Sequence, residues 1–375
     1  MKICLCVGTR PNFMKAASLI RAFKKYNLEY QLIHTGQHYD KNMSEIFFGE
    51  LGIPEPDINL GSWVDGDSSS EQIGRTMIYF SRQIELNRPD LIMVLGDVHS
   101  TLACALVANK MGIPLAHVEA GERSRDRSMQ EEINRVLVDE MSDFLFCASE
   151  EAYNNLRKTT PNRDGVKTFL VGDAMVDQLV YSLPKIGRAV DSAEPYALLT
   201  IHRAGNVDNR ERLEAIIEIV SKVSEKIQVF FPCHPRTRKA IQAFIFRGKG
   251  IADYTFLNII MINPMSYLEF MTLVKNAKLV ITDSGGLQVE TSYLNIPCLT
   301  LRENTERHDT ITSGTNTMIS IDKYIKGCDI PIFNNVDMIL KGQWRQSSFK
   351  SNPIHDGKAA ERIVKILKKE TNLWV

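Results

Sequence analysis

The chain predicts an α/β fold built from two doubly wound, parallel-sheet units. Short apolar runs such as "KICLCV" and "DLIMVLGD" end in Gly or ionisable residues, as strands buried on both faces do. Segments with helical spacing alternate with those runs, which is the pattern of parallel sheet covered by helices. The alternation then restarts after residues 180–195, around "SLPKIGRAVDSAEP".

In order, "KICLCV" predicts a strand and Pro11 opens the helix "NFMKAASLIRAFKKY". "YQLIHTG" is a strand, and "SEQIGRTMIYFSRQIEL" is a helix stopped by Pro89. "DLIMVLGD", "PLAHVEA", "DFLFCAS" and "VKTFLVGD" are strands, alternating with helices "STLACALVANKMG", "INRVLVDEMS" and "EEAYNNLRK". In the second half the strands are "YALLTIHR", "IQVFFPCHP", "KLVITDSGG" and "IPCLTLRE". Its helices are "RERLEAIIEIVSKVSEK", "MSYLEFMTLVKNA" and "LQVETSYLN". "GKAAERIVKILKKE" closes the chain as an amphipathic helix. The expected domains are 1–185, 186–355, and a C-terminal helix in 356–375 that packs back on the first domain. In such sheets ligands bind beyond the carboxyl ends of the strands, here in a cleft between the two units.

With 375 residues, 45 basic and 45 acidic, the chain has no net charge, which argues against a nucleic-acid surface. Seven scattered cysteines do not form a disulfide framework and suit a reducing cytoplasm. No apolar run reaches the ~18 residues of a membrane span. Histidine spacing of the HExxH kind, paired His/Cys ligands and a G-x-S-x-G elbow are all missing, so metallohydrolase and acyl-transfer chemistry are disfavoured.

"VITDSGGLQVE" follows a strand and opens a helix. Ser284, Gly285 and Gly286 let backbone N–H groups approach a phosphate at a positive helix end; the alternative is an ordinary strand–helix turn. Glu290 either accepts ribose hydroxyls or complements the helix dipole. In "VGTRPNFMK", Arg10 and Lys15 either hold a diphosphate or are simply solvated. Asp97, Glu119, His202 with Arg203, and His234 with Arg236 stand at four strand ends. That favours nucleotide-anion binding combined with carboxylate and histidine acid/base work.

"GTRP" with Lys15, "GQH" with Met43, "GD…ST", "HVEAG", "EEINR", "HR…N", "CHP", "TDSGG-Q-E" and "LRENTER…GTN" occur in that order, followed by "NPIHDGKAAERIV". This series resembles the UDP-N-acetylglucosamine 2-epimerase family over roughly residues 1–370. The resemblance implies a glycosyltransferase-B-like pair of domains and interconversion of UDP-GlcNAc and UDP-ManNAc, with neither a cofactor nor a metal. It implies loss of the C2 proton coupled to departure of UDP, giving 2-acetamidoglucal, and then re-addition of UDP. Asp97, Glu119 and Glu131 become the acid/base carboxylates and His202 the histidine near the diphosphate. Arg135 follows the second carboxylate motif, Phe270 matches a uracil contact and Glu290 the ribose acid. His234 matches a position near the sugar or a second, effector UDP-GlcNAc. Arg10, Lys15, Ser284, Gly285, Gly286 and Arg307 complete the substrate-binding set. A UDP-sugar is the implied small-molecule partner and a homodimer the implied assembly.

The chain departs from the family pattern at Glu122, where leucine is usual, at Gln130 in place of proline, and at Gly205 in place of glutamate. "TERPE" becomes Thr305 to Asp309. One hypothesis is that Glu122 replaces in space the carboxylate missing at 205. The departures leave open a modified UDP-HexNAc such as a diacetamido uronic acid. They also leave open a hydrolysing outcome releasing ManNAc and UDP, and a glycosyltransferase of the same fold.

Overall fold

The computed structural model describes residues 1–36, 48–64, 66–159, 165–187, 194–244 and 258–371, the side chain of residue 371 excepted. The motif residues Gln37, His38 and Met43 and part of the linker lie outside them. The chain divides into two compact units. One comprises Met1–Ser182 with Asn352–Val375, the other Leu183–Ser351.

The first unit contains β1 (Lys2–Val7), α1 (Arg10–Lys25), β2 (Glu29–His34), β3 (Ile58–Asn59), α2 (Ser69–Leu86), β4 (Leu91–Leu95), α3 (His99–Lys110), β5 (Leu115–Val118), α4 (Gln130–Met141), β6 (Phe144–Cys147), α5 (Glu150–Thr159), β7 (Lys167–Leu170) and α6 (Ala174–Ser182). Its seven strands run β3-β2-β1-β4-β5-β6-β7 and all pair in parallel. β4 is buried at every position, as a strand covered on both faces must be. On one face Cys4, Cys6, Ile33, Ile92 and Val94 pack with Phe80, Ile84, Cys104 and Val138 from the helices. Ser68 and Glu71 close a capping box that fixes the start of α2.

The second unit contains β8 (Tyr196–Thr200), α7 (Ala204–Val207), α8 (Arg210–Ser224), β9 (Gln228–Pro232), α9 (Pro235–Phe244), β10 (Ile259–Ile262), α10 (Tyr267–Asn276), β11 (Leu279–Thr282), α11 (Gly285–Leu294), β12 (Cys298–Leu301), α12 (His308–Thr312), β13 (Asn316–Ile319), α13 (Ile321–Ile325) and α14 (Ile332–Leu340). Its parallel strands run β10-β9-β8-β11-β12-β13 over one core that includes Leu199, Ile216, Val229, Phe231, Ile281 and Leu299. In both sheets the strand order reverses between two strands whose ends carry candidate residues, β1/β4 and β8/β11.

α15 (Ala359–Thr371) belongs to the first unit and packs on α1 and α6. Ala359, Ala360, Ile363, Val364 and Leu367 are its buried stripe. Asp177 of α6 caps it, accepting from the Ala359 and Ala360 amides at 3.0 and 2.8 Å.

Several elements lie where the sequence pattern is weak. "HPRTRKAIQAF" is helix α9, started by Pro235, and not only the end of a strand. β3, β10 and β13 are short edge or near-edge strands, and α12 and α13 have five residues each. Such elements take their shape from neighbours and leave little periodicity.

Candidate functional site

In the first unit β4 and β5 are neighbours, paired Leu95 to Val118, so the turns holding Asp97 and Glu119 leave adjacent strand ends. The Gly96 amide donates to the Val118 carbonyl at 3.0 Å, which ties the turns together. Glu119 has φ +74°, a left-handed backbone that costs a non-glycine residue about 1–2 kcal/mol. Strain of this kind persists where surrounding structure over-determines it, and it clusters at functional sites.

Each acid meets a buried cation. Lys15, on the second turn of α1 and only 5 % exposed, forms an ion pair with Glu119. Gly96 has φ +62°, and a Cβ there would lie 3.1 Å from Lys15 Nζ, so this glycine leaves room for the ammonium group. Arg135, 3 % exposed, reaches Asp97 at 2.5 Å. The β1–α1 turn is held by Asn12, whose Oδ1 accepts from the Gly8 and Thr9 amides while its Nδ2 donates to the Leu95 carbonyl at 3.0 Å. Arg10, the first residue of α1, is exposed.

Glu131 is exposed on the first turn of α4, whereas its neighbour Glu132 is buried. Glu132 accepts from the Ser124 amide and hydroxyl at 2.9 and 3.0 Å, from the Arg125 amide at 3.0 Å and from Arg135 at 2.8 Å. Burial alone would raise this carboxyl. The Ser124 and Arg125 amides and the Arg135 charge outweigh it and hold the group below the usual carboxylate range. Two turns further on, Asp139 accepts from Gly121 N at 3.1 Å and pairs with Arg123 at 2.6 Å and His117 Nδ1 at 2.7 Å. The other His117 nitrogen lies 2.8 Å from the Gly96 carbonyl. Burial again opposes ionisation of Asp139, but His117 and Arg123 keep its carboxyl below the ordinary range.

Glu122 is buried, and its Oε1 accepts from the Ser149 hydroxyl at 3.1 Å. Ser149 Oγ in turn accepts from the Ala152 amide at 3.1 Å. The carboxylate absent from the usual family pattern therefore has a partner at the start of α5, where a negative group complements the helix dipole. Gly205 lies in α7 of the second unit and is exposed.

In the second unit the hub is Asp283, fully buried after β11. Its carboxylate accepts from His202 N at 3.1 Å, Arg203 N at 3.0 Å and Asn206 Nδ2 at 3.1 Å, and pairs with His202 Nδ1 at 2.9 Å. Carboxylate can only accept, so Nδ1 carries the proton and Nε2 is left to face outward on a side chain 58 % exposed. Burial is offset by these donors, and the Asp283 carboxyl sits below its usual range.

Ser284 caps α11, accepting from Leu287 N at 3.4 Å, so Gly285 and Gly286 form its first turn. A Cβ on Gly285 would stand 2.5 Å from Glu306 Oε1. What this glycine accommodates in the chain itself is that buried carboxylate, which is bonded to Arg302 at 2.7 and 3.3 Å. Glu290 is buried in α11 and accepts from Tyr267 OH at 2.9 Å. Phe270, half-buried, lies one turn after Tyr267 on α10. Arg307 is buried at the start of α12. His234 is exposed after β9, one strand further out than His202.

Ser284, Gly285, Gly286 and His202 are thus brought to adjoining strand ends of one sheet, with Glu290 in the second turn of α11. Asp97, Glu119, Lys15 and Arg135 are gathered in the other. Sequence reasoning missed Asp283, Glu132, Asp139, His117 and Glu306. All of them sit inside quoted motifs or one helical turn from them, and a buried ionisable residue beside a candidate one was the available signal. Among the described residues no group of three or more His, Cys, Asp or Glu has the arrangement of a metal site.

The family model described as UDP-N-acetylglucosamine 2-epimerase matches residues 21–368. A UDP-N-acetylglucosamine 2-epimerase of Methanocaldococcus jannaschii is 41% identical over 98% of this chain and 99% of its own. A UDP-2,3-diacetamido-2,3-dideoxy-D-glucuronate 2-epimerase of Pseudomonas aeruginosa is 39% identical over 85% of this chain and 88% of its own. The crystal structure of the M. jannaschii enzyme in complex with UDP-GlcNAc and UDP superposes with a TM-score of 0.86, at 40% identity, covering 98% of this chain and all of that one. A glycosyltransferase at 10% identity and TM-score 0.57 shares the fold alone. Two parallel-sheet units of this kind are the glycosyltransferase-B-like architecture, and the chain belongs to the UDP-N-acetylglucosamine 2-epimerase family.

Proposed function

We propose that the protein interconverts UDP-GlcNAc and UDP-ManNAc by eliminating and re-adding UDP. The observation that carries this reading is the pair of strand-end acids, Asp97 and Glu119, each set against a buried cation on adjoining strands. The C2 hydrogen of the sugar is far too weakly acidic for a carboxylate to remove alone. Its loss is coupled to cleavage of the C1–O bond: a carboxylate takes the proton, the C–H electrons form the C1–C2 double bond, and UDP leaves with the C–O electrons. Re-addition of UDP at C1 and delivery of a proton to the other face of C2 complete the reaction. Asp97, Glu119 and Glu131 are the acid/base candidates.

The leaving diphosphate is stabilised by the α11 N-terminus at Ser284, Gly285 and Gly286, by His202, and by Arg10 and Lys15. Glu290 takes the ribose hydroxyls, Phe270 the uracil face, and Arg307, Arg135 and His234 complete the substrate contacts. Identity nearly as high to the diacetamido-glucuronate 2-epimerase supports a second reading, the same chemistry on a modified UDP-HexNAc.

The test is incubation with UDP-GlcNAc in D₂O, followed by NMR at C2. Deuterium at C2 with intact UDP-ManNAc is the expected result. Free ManNAc would replace reversible epimerisation by hydrolysis. Exchange only with the diacetamido-glucuronate substrate would select the second reading. No exchange with any UDP-HexNAc would refute both.

A further inference from the structure

We propose that Glu132 and Asp139 are positioning residues. Together with Arg135 they form a buried charged stripe on α4 that sets the two acid-bearing turns and does no proton transfer itself. The inference rests on the proposed role of Asp97 and Glu119 as the proton-transfer groups.

Residues 132, 135 and 139 are spaced i, i+3, i+7, so they share one helix face, and all three are buried. A buried face bearing three charges would be costly unless each charge has work to do in holding partners. The partners here belong to the two turns. Glu132 grips the amides of Ser124 and Arg125 and holds Arg135, and Arg135 bonds Asp97. Asn134, on the same helix, donates to the Asp97 carbonyl at 2.8 Å. Asp139 grips the amide of Gly121, two residues after Glu119, and through His117 the carbonyl of Gly96, one residue before Asp97.

The chemistry of the two acids supports a holding role. Both accept several N–H groups and a cation, and a carboxylate so occupied is a poor base. Glu131, with its exposed carboxylate, remains the candidate acid/base on this helix. The strained backbone of Glu119 needs such an anchor, because a left-handed turn held on one side only would relax.

The experiment uses the full chain and the variants Glu132→Gln and Asp139→Asn, with Ser124→Ala as a milder change. Expected in variants that keep the parental melting profile is a kcat about 100-fold lower for Glu132→Gln, the cost of a displacement near 1 Å. KM is expected to stay within about threefold, since Arg135 is the one proposed substrate contact bonded to Glu132 and it keeps its bond to Asp97. Amide hydrogen exchange supplies a readout independent of activity. Ser124 and Arg125 should exchange about tenfold faster in Glu132→Gln, and Gly121 in Asp139→Asn. Ser124→Ala should show a smaller loss in the same direction. Parental kcat in folded Glu132→Gln would overturn the proposal, as would unchanged exchange at those amides. Absence of C2 exchange by the parent chain would instead sink the assigned reaction, and amide exchange would still decide whether the stripe holds the turns.

Discussion

Replacing Asp283 with asparagine is expected to destabilise the second unit and to invert the proton placement on His202. The carboxylate accepts four N–H donors, the amides of His202 and Arg203, Asn206 Nδ2 and His202 Nδ1, in a fully buried position. A hydrogen bond to a charged group contributes about 1.5–3 kcal/mol, one between neutral groups about 0.5–1.5. Neutralising the acceptor thus weakens each bond by about 1 kcal/mol, and the group by about 2–4 kcal/mol. An amide also brings its own N–H₂, which must face either the backbone donors or the ring of His202. The less costly choice directs it at His202 Nδ1, 2.9 Å from the present carboxylate. The ring must then accept at Nδ1 and carry its proton on Nε2. Urea denaturation measures the first effect. Steady-state turnover, with the imidazole tautomer read by ¹⁵N NMR, measures the second. A stability loss below about 0.5 kcal/mol, with turnover and tautomer unchanged, would refute the hub role, because buried charged acceptors cannot be neutralised at no cost.

Glu122→Leu is expected to lower stability by about 1 kcal/mol by removing the acceptor of Ser149 and the negative group at the start of α5, leaving kcat unchanged; a shift in sugar specificity would instead favour the spatial-swap hypothesis. Gly285→Ala pushes a Cβ against Glu306 Oε1 at 2.5 Å, where ordinary contact begins at 3.4 Å. A loss of about 1–3 kcal/mol is expected, and a much smaller one in a Glu306→Ala background. An equal loss in both backgrounds, measured by urea midpoints, would refute the steric account. The pH dependence follows from Asp139, whose carboxyl is held lower in the folded than in the unfolded chain. As pH falls toward 4 and below, the unfolded chain takes up the proton first, so the stabilisation is present above about pH 4 and lost beneath it. The stability gap between the parent chain and Asp139→Asn should therefore narrow from pH 7 to pH 3; a gap independent of pH would contradict the assignment.

Much of this protein was readable from local pattern. Buried parallel strands are continuous apolar runs, and "LIMVL" or "KLVIT" can hardly be anything else. Strand ends terminate in ionisable residues, which located Asp97, Glu119 and His202, and the turn chemistry of "DSGG" located the α11 start. Short elements such as α12, α13 and β13 were not readable, because five residues or fewer carry too little periodicity to outweigh their neighbours.

The sequence by itself determined the alternation of elements, the two-unit organisation of the chain and the set of ionisable residues at the strand ends, since each depends on contacts within a turn or two. Tertiary structure alone decided which acids are buried and which groups they hold. In "QEEINR" two glutamates are adjacent and chemically identical, and only helix phase and the arrival of the Ser124–Arg125 loop make Glu131 exposed and Glu132 buried. Asp283 and Ser284 are likewise neighbours, but one is the buried acceptor of a loop eighty residues away and the other caps a helix. Burial and long-range hydrogen bonding assign those roles, and neither is a property of the local sequence.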